Sequence, residues 1–547
     1  MTPRLICLAL ALSLSGAIAC RKRSGPAPGD GAVELDGAGF GPGGIELAYA
    51  ASYIGSAACG KCHTGHFELA RTHHMARTGE RPTAETIDLW FSTDLLAKPL
   101  RWPPSEPSPA PRYRREGAEV LLEVRGEGGS KAAARVAAVF GSRAHGFTPI
   151  AVEDGRAIRE LRISHSEVQD AWIMTPGSAG DPDPLGHIRS PEMSRNCLSC
   201  HTTLLAWGRD RLDLEATVFG IGCERCHGPG SAHVEAVAGQ SRELAIYNPG
   251  ALRADEEVKF CGQCHRQPSD IEPGQVLERA PDLARHAGAG LMLSACFRRS
   301  PPAETIRCLD CHDPHRNNDP ARDARGAYNQ ACRRCHARPA EDHPATQVGE
   351  GADCISCHLA VESRAFSGMD FTDHWIRVPG RPAPGSSPER SAYEAYLEAG
   401  YRDALARRGL GTERKARLRM RLGELLFGRG EREPGLEWMR EALELAPLYR
   451  DRLVAAELHD RAGKPDEAVR ILEEAIRLHP ENNYAYHNLA RLHLARGRRE
   501  PAEAVLAAWE RARPGDPALV ELRDELKRLD PSRGLKSISP RRHGDTE

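Results

Sequence analysis

The sequence is short of aromatic residues, carries no excess of either charge and has no long apolar run beyond its first twenty residues. Phe, Trp and Tyr make up 5% of 547 residues, which is thin for a chain too long to be one ordinary domain. Lys and Arg number 74 against 76 Asp and Glu, so the basic footprint of a nucleic-acid binder is missing. No later stretch has the length and apolarity to span a bilayer. After residue 357 cysteine disappears altogether.

Before that point cysteine is abundant and ordered. The pattern C-x-x-C-H occurs at Cys59/Cys62/His63, Cys197/Cys200/His201, Cys223/Cys226/His227, Cys261/Cys264/His265, Cys308/Cys311/His312, Cys332/Cys335/His336 and Cys354/Cys357/His358. These seven copies use fourteen of the seventeen cysteines, where chance would supply on the order of 0.02 copies. Zinc ribbons pair CxxC units that need no following His, and here no CxxC lacks one. A thioredoxin-like dithiol would occur once, near a βαβ pattern. Covalent haem attachment accounts for every position. Two thiols three residues apart on one turn can add to the two vinyl groups of a porphyrin, and the adjacent imidazole then lies under the iron. The implied cofactors are seven haem c groups with their iron. They would fill the aromatic deficit as apolar core, and their propionates would make the mature protein more acidic than its residue count.

The ends of the chain carry other signals. "MTPRLICLALALSLSGAIAC" has a short basic start, an apolar stretch and small residues before Cys20, the pattern of an export signal over residues 1–20. Cys20 stands where a bacterial lipoprotein signal places its acylated cysteine; Ala17 makes the lipobox imperfect, so plain cleavage after an A-x-A-like site is the alternative. Residues 21–50, rich in Gly, Pro and Ala, read as a flexible tether. Residues 51–380 form the heptahaem region, interrupted by a CxxCH-free insert at 112–175 whose "EVLLEVRGEG" and "AIRELRISHS" predict a small β-rich unit. A linker at 381–392 follows. Gly430, Gly463 and Gly497 then recur at intervals of 33 and 34, as do Pro447, Pro480 and Pro514, the period of tetratricopeptide repeats. Three repeats are expected near 417–449, 450–483 and 484–517 within a helical region spanning 393–530, followed by a disordered tail at 531–547. The fold class is therefore mainly α: a haem-packed domain of short helices and long loops, a small β-rich insert and a C-terminal tetratricopeptide solenoid.

Eighteen histidines lie between residues 59 and 380, and seven are proximal. His233 closes "CERCHGPGSAH" and His315 closes "CLDCHDPH"; so close to a proximal ligand, each is expected to reach the distal face of a neighbouring haem. His66, His145 and His165 read as surface or hydrogen-bonded histidines, while His187 and His286 are weaker candidates for the remaining irons. Cys296 reads as a buried structural thiol.

"YIGSAACGKCH…ARTHHMAR", "CERCHGPGSAH", "SACFRRS…CLDCHDPHR" and "GADCISCHLAVESR…FTDHWIRVP" together resemble the multihaem cytochromes of the cytochrome c-554 type, including members with a C-terminal tetratricopeptide region. The resemblance covers residues 52–380 and the repeats. It implies a helical, haem-packed fold with stacked haem pairs and electron transfer as the general role. It supports His74, His233, His315 and His374 as distal ligands, with His343 similarly placed before the last motif. Ser164 and His165 stand where relatives tend to have aromatic residues.

Two functions compete with an extracytoplasmic electron carrier that docks redox partner proteins through its repeats. One is an oxidoreductase acting on a small nitrogen or sulfur compound at one open iron. The other is a scaffold whose haems serve a bound partner enzyme. No attachment site departs from plain CxxCH and no lysine replaces a proximal histidine, so no catalytic residue is named.

Overall fold

The computed structural model describes residues 35–36 and 51–528 apart from 126–130, 274–285, 318–323, 339–342, 344–351, 379–386, 407–409 and a few shorter gaps. The expected signal segment, Cys20 and the tail lie outside the described residues, as does most of the tether. Leu35–Asp36 forms a strand paired with Thr202–Ala206. No helix among the described residues is long and apolar enough to cross a membrane.

The insert is larger than its sequence signal. Arg112–Glu116, Glu119–Arg125 and Lys131–Arg135 form an antiparallel meander, whose first turn places Gly117 at a φ of 62°. Beside it an eight-stranded sheet is built from 138–174 but recruits Gly79–Glu80, Leu100–Arg101 and Gly186–Ile188 from outside the expected boundaries. Its core is aromatic: Trp90, Phe91, Phe147 and Trp172 are buried against Leu122 and Leu161, and Trp172 Nε1 donates to the Leu95 carbonyl at 2.8 Å. Part of the small aromatic complement is thus spent in this core. His165 sits in this core, sealed between Phe147 and Trp172, and neither of its ring nitrogens has a hydrogen-bond partner. It is neither surface nor hydrogen-bonded, which corrects the sequence expectation; apolar packing holds it neutral.

The motifs sit on short helices, as a chain with so few residues per motif requires. The C-terminal region is helical from Ser387, so helix begins inside the expected linker. Helix pairs Thr412–Gly428/Arg432–Leu445, Tyr449–Arg461/Pro465–Leu478 and Asn483–Leu494/Arg499–Ala512 follow, then Pro517–Arg528. The periodic glycines have one cause. Gly430, Gly463 and Gly497 follow the first helix of each pair at φ of 95°, 78° and 68°, the left-handed conformation that ends a helix at least cost in glycine. First helices pack on one another in series.

The helical region shares a core with the cysteine-rich region. Ile271, Ala289 and Leu293 are buried among Tyr393, Leu397, Tyr401, Leu418, Leu422 and Leu425. Glu192 accepts from the backbone N–H groups of Glu413 and Arg414 at 2.9 and 2.8 Å, capping the helix that begins at Thr412. Nearby, burial pushes the Asp451 carboxyl up to about 6, against the pull of Arg417, Arg450 and Arg421 and with Glu272 adding to the rise. Its Oδ2 has no hydrogen-bond partner. A carboxyl whose folded value lies above its unfolded one opposes folding as pH rises from about 4 to 6, and fully above that range. Asp451→Asn should therefore stabilise the protein at pH 7 by on the order of 2 kcal/mol, with the gain vanishing near pH 4; denaturant melts at both pH values check it.

Candidate functional site

Each motif is one turn of backbone. In the first, fifth and sixth, the His63, His312 and His336 N–H groups donate to the Cys59, Cys308 and Cys332 carbonyls at 2.9 Å. An i to i+4 bond sets the first cysteine and the histidine on one face, with the second cysteine at i+3 beside them. The chemistry needs two thiols and an imidazole on one side, and one helical turn supplies it.

The thiols are not all enclosed by protein. Cys62, Cys264, Cys335 and Cys357 are exposed, whereas the other ten motif cysteines are half-buried. All four are the second cysteine of their motif, and the reason is local. One turn of helix can lay only part of its circumference against the protein, and in these motifs the first cysteine takes the inner side. Cys62 follows the exposed Lys61. Cys357 has the hydroxyl of its exposed neighbour Ser356 at 3.8 Å from its sulfur. An accessible thiol suits thioether formation, since exposure is what lets a cysteine react. Cys62 and Cys357 therefore remain fit to hold haem.

The imidazoles pair across motifs. Ring centroids of His63 and His233 lie 6.3 Å apart, His227 and His315 6.1 Å, His312 and His374 6.2 Å, and His343 and His358 5.8 Å. Metal–imidazole bonds are about 2 Å long, so two rings on opposite sides of one metal have centroids roughly 6 Å apart. Several ring nitrogens are already committed. Nδ1 donates to a backbone carbonyl in His201 (Thr78), His227 (Tyr247), His233 (Leu244), His358 (Arg377) and His374 (Thr372). That fixes the tautomer and leaves Nε2 to ligate, as in metal sites generally. Burial holds His201, His227, His265, His312 and His374 below the ordinary imidazole range, favouring the neutral ring that binds metal. The residues present fit haem.

His74 is exposed and its backbone N–H donates to Asn317 Oδ1 at 2.8 Å; among the described residues it stacks on no proximal ring. His201 stacks on Phe140 at 4.2 Å rather than on a second imidazole. His187 is exposed and bonded to Asp181 at 3.1 Å, while His286 is buried. His66 is exposed 4.7 Å from His315, and exposed His145 stacks on Phe371. Cys296 is half-buried beside Cys311, Cys332 and Cys335.

Neighbouring motifs bring their cysteines side by side: Cys59 lies beside Cys223, Cys200 beside Cys264, Cys261 beside Cys308 and Cys332 beside Cys354. Cys226 lies beside Cys261, and Cys311 beside Cys332. Through their cysteines the motifs therefore adjoin in the order first, third, fourth, fifth, sixth, seventh, with the second beside the fourth, while the His227–His315 pair also joins the third to the fifth.

Three buried polar residues that sequence reasoning did not single out tie these neighbours together. Glu224, inside the third motif and 2% exposed, accepts from Ile54, Gly55 and Gly230 N–H groups at 2.9, 2.7 and 2.8 Å. It thereby binds the third motif to the approach to the first. Glu257 on the helix of the fourth motif accepts from Leu309 N–H in the fifth at 2.9 Å. Asn329 on the helix of the sixth accepts from Cys354 N–H in the seventh at 3.0 Å. The motif helices Cys223–His227 and Cys354–His358 have no side-chain cap hydrogen bond of their own, so their first N–H groups need partners from elsewhere.

Three family models match parts of the chain: "Cytochrome c554 and c-prime" over residues 180–228, "Doubled CXXCH motif" over 301–341 and "Tetratricopeptide repeat" over 461–526. No curated protein matches. Similar solved structures include MamA, 17% identical over 25% of this chain and 73% of that one, at a TM-score of 0.20. They also include YrrB, a TPR protein with an unusual peptide-binding site, 17% identical over 24% and 68%, at 0.21.

Proposed function

We propose that this chain is a multihaem c-type cytochrome with a tetratricopeptide region, an exported electron-transfer protein holding seven haems. Each CxxCH would hold one haem by its two cysteines and its histidine. His233, His315, His374 and His343 would close the irons opposite His63, His227, His312 and His358. The observation that carries this reading is the set of four imidazole pairs with centroids 5.8–6.3 Å apart. Bound haem supplies a one-electron iron couple whose potential depends on axial ligands and burial.

The protein's own part is to hold neutral imidazoles in place through carbonyl bonds, to keep successive motifs in contact and to limit the access of water to them. The tetratricopeptide region serves protein interaction, and Cys20, where acylated, would tether the protein to a membrane.

The test is a carbon monoxide titration of the fully reduced protein, followed at the Soret band, with the haem count taken from the pyridine haemochrome. Electron transfer through closed irons predicts seven haems and no uptake. Uptake by about one haem in seven would replace this reading with an oxidoreductase of a small nitrogen or sulfur compound, since a free axial position is what small ligands need. His187 and His286 would then be the positions to examine.

A further inference from the structure

The first two helix pairs of the repeat region are already engaged. Arg421 Nη1 donates to the Ser269 carbonyl at 2.6 Å, and Arg414 Nη2 to Asp270 at 3.1 Å. Tyr401 OH donates to the Ile271 carbonyl at 2.5 Å. Arg450 grips Glu272 with two bonds, at 3.0 and 2.8 Å. Ile271 is 1% exposed within the shared core, and Pro268 approaches so closely that a Cβ on Gly400 would come within 2.8 Å of it. Every residue from Pro268 to Glu272 is therefore met by the helical region through a side chain or a carbonyl.

We infer that the helices Ser387–Leu405, Thr412–Gly428 and Tyr449–Arg461 form a recognition site for a short acid–apolar–acid segment, and that its occupant is this chain's own Ser269–Glu272. The chemistry is specific in kind. Guanidinium forks suit carboxylates, an apolar slot takes the isoleucine between them, and the remaining donors read carbonyls. Most peptide sites on helical repeats meet a ligand in trans; this one is filled in cis. The occupant begins four residues after His265, so the clamp also positions the helix Ala254–His265 that carries the fourth motif. This inference does not depend on the electron-transfer reading.

The test uses the full-length, haem-loaded protein in three forms, Glu272→Arg, Arg450→Glu and the double exchange, read by hydrogen exchange of 268–273 and 449–461 and by spectroelectrochemistry. Each single reversal should raise exchange in both segments by about fivefold and move one component of the redox titration while the others hold. The double exchange should restore both. Exchange unchanged in the single variants, or raised in one segment only, would overturn the clamp. Exchange that rises with no redox component moving would overturn its hold on the fourth motif. An unchanged Soret spectrum in all three variants shows that haem content is not the cause.

Discussion

His374→Ala should open one iron: the reduced variant is expected to bind one more equivalent of carbon monoxide than the parent, and added imidazole should close the site again. The reason is geometric. His374 stands 6.2 Å from His312, its Nδ1 is committed to the Thr372 carbonyl at 2.9 Å, and burial favours its neutral form. The flanking Asp373 pairs with Arg377 at 2.9 Å and accepts from Trp375 N–H at 2.9 Å, which holds the loop with or without the imidazole. The loss of a distal ligand is thereby separated from loss of structure. His479→Ala, which removes a ring packed against Tyr449 in the helical repeat region, is the control. Equal uptake by the His374 variant and the parent would mean that the ring does not ligate.

Glu224→Ala has the largest expected effect on stability. It would strand three N–H groups, on Ile54, Gly55 and Gly230, around a side chain that is almost wholly buried. Hydrogen bonds to a charged acceptor contribute about 1.5–3 kcal/mol each, and a buried donor left unpaired costs about 1–3 kcal/mol. Allowing for relaxation, the variant should lose roughly 3–5 kcal/mol and melt about 5 °C lower. Glu224→Gln, which keeps an oxygen, should lose less than half of that. A melt within a degree of the parent for the alanine variant would show that these bonds contribute nothing net.

Local order was readable in the sequence, and long-range order was not. The glycine period at Gly430, Gly463 and Gly497 announced helix pairs because a left-handed C-terminal residue is a local requirement. Alternation in "EVLLEVR" announced the strand Glu119–Arg125 for the same reason. The extent of the β unit was missed because Gly79–Glu80 and Leu100–Arg101 are two-residue strands, too short to carry a period. His165 was misjudged because its burial depends on Phe147 and Trp172 from two other strands. The exposure of Cys62 and Cys357 was equally out of reach, because CxxCH is the same five-residue pattern whichever way its turn faces. Which imidazole stands opposite which depends on loops between motifs, so the sequence ranked His233 and His315 but could not name His63 and His227 as their neighbours. The "THHMAR" context of His74 is local, whereas its backbone N–H is held by Asn317, more than two hundred residues away.

The contacts among the motifs can be treated as a network with seven nodes. Counted by cysteine neighbours among the described residues, six of them lie on a single line, and the second hangs from the fourth, the one node with three such neighbours. Cutting the line at the fourth would leave three fragments, whereas losing the second would leave the line whole. A fault at one node therefore has a rank that its place in the chain does not reveal. The segment that follows this junction is the one held by Arg414, Arg421 and Arg450, so the helical region touches the network at its point of greatest vulnerability.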